Sequence, residues 1–237
     1  MNLTEKNRVV VELESQDENP VVQVPRKTSL TWISVRKVGA EESLKTKRVF
    51  VVEEGAELNH YVLFWGEGKL EEKNVIELEG DDSKAFSQTL LFSSGKAEHK
   101  IEQEMVHKGV RTHSQTIAKS ALKDSARAHF FANIRMEQAS NDAEGSLTEH
   151  VLLLSPDARI EALPGLEIHH HNVRSSHAAK LERVDSEKLF YLSSRGLNEE
   201  QAMQLLLEGF FLEALQRIPE KTEADLPLQS FMENIQC

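Results

Sequence analysis

The stretch LEIHHHNVRSSH, residues 166–177, holds four of the chain's ten histidines. Imidazole is the commonest protein ligand for transition metals and titrates closest to neutrality, so the cluster raises the question of metal or acid–base chemistry. Spacing answers part of it. In an extended strand His169 and His171 point to one side and His170 to the other, so at most two of the three converge on one ion. His177 shares the parity of the outer pair only if the strand runs on through Asn172, a residue suited to a turn. The plain reading of His169, His170 and His171 is a solvent-exposed strand. A cupin-type site would need a glutamate three or four residues after His-x-His, whereas the next one is Glu182. A metal-binding module on His169 and His171 stays open as an alternative.

Other chemistry is sparse. The sequence contains no GxxxxGK[ST] or GxGxxG phosphate loop and no GxSxG nucleophile elbow. Glu161 and Glu167 have the chemistry of a glycosidase acid–base pair on a β-solenoid face, but solvated strand carboxylates are the simpler account, and only two Trp and two Tyr are available to stack on sugar. Cys237 is the sole cysteine, so the chain has no internal disulfide and no thiolate cage of its own for zinc or an iron–sulfur cluster. The net charge of −11 disfavours nucleic acid and anionic membranes as partners. The longest apolar run, 61–65, falls far short of the ~20 residues a membrane helix needs. The first residues alternate polar and apolar with no secretory core, so a cytoplasmic location is expected.

The elements that would position these side chains change character once along the chain. From Arg8 onward apolar residues recur with period two, as in Val9, Val11 and Leu13, and turn residues interrupt them at Asn19-Pro20, Glu54-Gly55, 66–68, 80–82 and 93–95. That pattern predicts many short strands. Overlaying 114–130 on 146–162, an offset of 32, aligns Ser114/Ser146, Leu122/Leu154, Ala126/Ala158 and Arg127/Arg159. A fixed offset with recurring small residues suits stacked coils, although a β-sandwich also gives alternating strands. At Asp185 the period becomes helical. Asp185 caps one helix that Gly196 ends, and Asn198, with Gln201 as its capping-box partner, opens a second that Pro219 stops. The apolar residues of the second helix cover more than half its circumference, so one stripe can serve the strands while another needs more core or a second protein. The tail after it has room for a helical turn or two.

The stretch NVRSSHAAKLERVDSEKLFYLSSRGLNEEQAMQLLLEGFFLEAL, 172–215, resembles the C-terminal segment of the SufB/SufD scaffold family of iron–sulfur cluster assembly. There, a strand with a histidine in SH-[GE]-A leads into LFYLxSRG[IL] and a long apolar helix. LKDSARAHFFANIRM and HVLLLSPDARIEALPGLEI resemble the core of the same family. The likeness is specific from about 120 to 218 and fades toward the N-terminus.

The resemblance implies a mainly β fold, a right-handed parallel β-helix over 1–184, followed by a small helical segment over 185–237 that docks a SufC-like ABC-type ATPase. It further implies pairing through the β-helix, as a homodimer or with a SufB-like subunit. His177 matches the histidine that both branches keep near their shared interface, making it the candidate ligand for iron or a transient, shared cluster. Arg195, Leu206, Phe210 and Phe211 become candidate partner contacts. Two SufB features are missing: Ala158 stands in place of a cysteine and Ala178 in place of a glutamate. Ser175 replaces the cysteine of the frequent SufD string CSHGA. The chain therefore looks nearer to SufD, is expected to be non-enzymatic, and would need sulfur ligands from a neighbour or a cluster held by nitrogen and oxygen. Family members usually carry a further, partly helical N-terminal region not visible here.

Overall fold

The computed structural model describes residues 7–13, 21–219 and 225–235. Its strands are β1 (Asn7–Leu13), β2 (Val21–Val24), β3 (Ser29–Val38), β4 (Ser43–Val52), β5 (Glu57–Gly66), β6 (Lys69–Leu78), β7 (Lys84–Ser93), β8 (Glu98–His107), β9 (His113–Leu122), β10 (Arg127–Met136), β11 (Glu144–Leu153), β12 (Arg159–Ile168) and β13 (Arg174–Arg183). Odd strands form one parallel sheet in the order β1-β3-β5-β7-β9-β11-β13, and even strands a second in the order β12-β10-β8-β6-β4-β2. Each coil gives one strand to each sheet, which makes the body a parallel β-solenoid and resolves the sandwich alternative.

The register shows how the repeat works. Arg127 pairs with Arg159, an offset of 32, while Ser114 pairs with Gly145, an offset of 31. The sequence overlay therefore holds for β10 and β12 and slips by one residue for β9 and β11. The corner 154–158 is one residue longer than the corner 123–126, and that residue makes the difference. Corners before successive odd strands place Lys27, Gly55, Asp82, Arg111 and Asp142 at positive φ, each two residues ahead of its strand. Glycine and aspartate tolerate this conformation best. The backbone N–H of each donates to the next coil, as from Gly55 to the Asp81 carbonyl (2.9 Å) and from Asp82 to the Val110 carbonyl (2.9 Å). The Asn19-Pro20 turn lies outside the described residues.

Two cores result from the strand alternation. Inward residues such as Leu58, Ile76, Leu91, Ile101, Phe130 and Leu147 fill the lumen. Outward residues of the odd sheet, among them Ile33, Leu63, Leu90 and Leu152, lie under the C-terminal helices. The lumen is not wholly apolar: Glu12 of β1 pairs with the buried Arg36 (2.9 Å) and Arg48 (2.5 Å), and Glu72, Asn74, Gln103, Thr116 and Glu149 are buried as well.

Helices α1 (Ser186–Ser194), α2 (Glu199–Leu215) and α3 (Asp225–Asn234) follow. Asp185 accepts the Glu187 N–H as the cap of α1. Gly196, at φ +97°, ends it by donating to the Ser193 carbonyl while Leu197 donates to that of Leu192, a Schellman arrangement. Asn198 and Gln201 form the reciprocal capping box of α2. The tail exceeds its expectation, because α3 has ten residues and inserts Phe231 beside Trp65 (ring centroids 5.7 Å) and Phe211 (5.3 Å). Among the described residues no helix is long and apolar enough to cross a membrane.

Candidate functional site

The last coil exposes what earlier coils bury. β13 and β12 are the outermost strands of their sheets, so each has one backbone edge without a ladder partner. Leu166 and Ile168, in register with the buried Ile134 and Met136, are 36% and 49% exposed, and Leu181, in register with buried Val151, is 57% exposed. These residues would be core if another coil followed.

His177 sits on this open end. It pairs with Leu147, a lumen residue, so its place on β13 is in an inward row and not on the helix-covered face. It is exposed and makes no side-chain hydrogen bond among the described residues. The outward row of the same strand is differently occupied: Glu182 accepts from Lys180 (2.7 Å) and is hydrogen-bonded to His150 (2.7 Å), and those contacts, Lys180 first, hold its pKa below the usual carboxylate range.

The histidine triplet is not in a strand. β12 ends at Ile168, and 169–173 form the corner to β13. There His170 and His171 stack (centroids 4.8 Å) where strand alternation would have separated them, and Nδ1 of His170 accepts the N–H of Asn172 (3.1 Å). Asn172 does make the turn. No group of three or more His, Cys, Asp or Glu able to hold one metal occurs among the described residues. Glu161 and Glu167 lie six residues apart on one extended strand, about 20 Å by strand geometry, and each has its own partner: His129 (2.9 Å) for the first and Asn133 (3.0 Å) for the second. They do not converge.

The helical candidates divide. Phe211 is fully buried and Phe210 nearly so, in the core between α2 and the odd sheet; Leu206 is half-buried. Phe210 and Phe211 are therefore internal anchors and not a contact surface, because α2 lays its broad apolar arc on the solenoid and under α3. The exposed apolar side chains are Phe190 (77%) and Tyr191 (57%) on α1 and Leu205 and Leu212 on α2. Arg195 lies over the Tyr191 ring (5.2 Å) and donates to its hydroxyl (3.2 Å), and is exposed. Leu205 also borders a cleft of about 530 Å³ with Leu197, Gln204 and Met232.

The model of the family described as SUF system FeS cluster assembly, SufBD core domain, matches residues 11–210. The chain belongs to the SufBD family. A SufBD family protein of Staphylococcus epidermidis is 27% identical over 182 residues, covering 75% of this chain and 38% of that protein. The iron–sulfur cluster assembly protein SufD of Bacillus subtilis is 30% identical over 147 residues, 62% of this chain and 34% of its own length. This SufBD chain thus spans little more than a third of the curated relatives it matches.

Sequence reading did not single out Glu149. It stands on the inward row of β11, 2% exposed, and neither carboxylate oxygen has a hydrogen-bond partner among the described residues. Burial alone raises its pKa to about 7. The signal was present: Leu147, Glu149, Val151 and Leu153 form one period-two row in which a single residue is charged.

Proposed function

We propose that this chain is a non-catalytic scaffold subunit of SUF-type iron–sulfur cluster assembly in the cytoplasm. Its working form is a pair, with a second copy or a SufB-like subunit, joined across the open end of the solenoid. The segment 185–237 is the contact for a SufC-like ABC-type ATPase, whose nucleotide cycle supplies the mechanical work. The observation that carries the reading is the last coil: two parallel strands that each leave one backbone edge open, exposed lumen residues Leu166, Ile168 and Leu181, and His177 on the same coil. An exposed edge of this kind invites strand addition, and a partner there would supply coordination positions that one imidazole cannot. A scaffold also suits a chain with one cysteine, which offers no thiolate cage, so a cluster takes sulfur ligands from the partner or is held by nitrogen and oxygen.

Support for the ATPase contact comes from the exposed Phe190, Tyr191, Leu205, Leu212 and Arg195, whereas Phe210 and Phe211 are internal. Native mass measurement tests the pairing: the chain alone or mixed with a SufB-like subunit is expected as a dimer that Leu181→Lys converts to monomers. Monomers in both samples before mutation would overturn the pairing. Cluster assembly by the complex, unchanged after His177→Ala, would remove His177 from the site.

A further inference from the structure

Glu149 is a buried carboxylate that has no hydrogen-bond donor among the described residues. Ala118 stands beneath it and Ala179 above it in register, so neither rung offers a hydrogen bond. A buried polar group left unpaired costs free energy, and a carboxylate costs more than most. The coil above carries His177 two residues before Ala179, on the same inward row. One strand spacing across and two residues along put the two Cα atoms about 8 Å apart. A glutamate and an imidazole across that span can both reach one ion at ligand distances of about 2.0–2.2 Å. Glu149 is fixed by burial, while His177 is exposed and free to turn toward it.

We propose that Glu149 and His177 form an oxygen–nitrogen half-site for a divalent first-row transition-metal ion, iron(II) in this setting, at the mouth of the lumen. The inference rests on the scaffold reading of His177 and adds to it the second ligand and the ion's position. A dication supplies the counter-charge that the buried carboxylate lacks. Two protein ligands leave coordination positions open, so binding by one chain is modest and tightens when a subunit closes the end of the solenoid. The set of one imidazole and one carboxylate, without thiolate, favours a metal ion arriving before sulfide over a finished cluster.

The test is titration of the full chain with cobalt(II) alone, as a coloured stand-in for iron(II), at a pH above neutrality. All proteins carry alanine at His169, His170 and His171, which removes the nearby corner imidazoles as competing ligands. The expected result is cobalt absorption bands and a raised Tm for the parent, with binding weakened at least about tenfold by either Glu149→Gln or His177→Ala. The Tm of metal-free Glu149→Gln should equal or exceed that of the parent, which separates lost binding from lost folding. Should that variant not fold, X-ray absorption of the cobalt-loaded parent decides: an imidazole with oxygen neighbours is expected, and a shell without imidazole overturns the site. Unchanged binding by Glu149→Gln alone would overturn this inference and leave the His177 reading standing. Unchanged binding in both variants would overturn both, and a parent that binds no cobalt would overturn the half-site.

Discussion

Lys119 of β9 donates a hydrogen bond to the backbone carbonyl of Phe210 in α2 (2.8 Å) and lies over the Phe210 ring at 5.3 Å. Gln88 of β7 donates to the Ala214 carbonyl (2.8 Å) and Tyr61 of β5 to that of Arg217 (3.0 Å). Three coils thus grip the C-terminal half of α2 and the turn that follows it. Gln88 is 1% exposed, so Gln88→Ala loses a buried hydrogen bond and is expected to cost about 1–2 kcal/mol. Hydrogen exchange checks where: α2 amides should speed up while those of β5 and β7 stay protected.

The division of α2 into buried and exposed apolar residues makes a contrast. Phe211→Ala empties the core between helix, sheet and Phe231, and should destabilise by about 3–5 kcal/mol in denaturant unfolding. Leu205→Lys and Leu212→Lys, on exposed positions, should change stability by no more than about 0.5 kcal/mol. Co-purification with the proposed ATPase partner should fall for the exposed pair.

Removing Glu12 should be costly. Its carboxylate spans Arg36 and Arg48, whose side chains are 1% and 2% exposed, and Glu12→Gln leaves two buried guanidinium groups short of their counter-charge. The expected loss is about 3–5 kcal/mol, read as a lower urea midpoint. Salt should screen little of it, because the pair is within the lumen.

Stability should fall on mild acidification. Burial lowers the pKa of His99 and His107 to about 4 and that of His60 to about 3, from an ordinary 6.5. The folded state keeps these imidazoles neutral while the unfolded chain protonates them. Their contribution is therefore complete above 6.5 and is lost as pH falls from there toward 4, by about 1.4 kcal/mol per pH unit for each histidine. His107 is held by Thr112 (2.7 Å) and Ser114 (2.8 Å), so His107→Gln should lower stability at about pH 7 and flatten the slope below 6.5. Urea midpoints over that range measure both.

Much of this molecule is legible along the chain because the information is local. Period-two rows, turn residues and the caps at Asp185, Gly196 and Asn198 each act within a few residues, and all three caps form as their residue types require. The histidine triplet has strand character in sequence but lies in a corner, because corner length is not a local property. It depends on where Met136, in the coil below, stops pairing: the His169 N–H still donates to its carbonyl (2.9 Å), and the chain turns immediately after. The length of α3 is hidden for a similar reason, since Phe231 draws its support from Phe211 on α2 and from Trp65, far away in sequence.

What the sequence alone determined is the stack of short strands, the switch to helices at 185, the family, and a single cysteine, too few for a thiolate cage of its own. What only the tertiary structure decided is which residues meet. Burial is a property of what lies above and below each rung, so the same inward parity hides Leu147, exposes His177 and strands the Glu149 carboxylate without a donor. Phe210 and Phe211 read as surface until the odd sheet and α3 close over them, because a helix's apolar arc does not reveal which part of it finds a neighbour in its own chain.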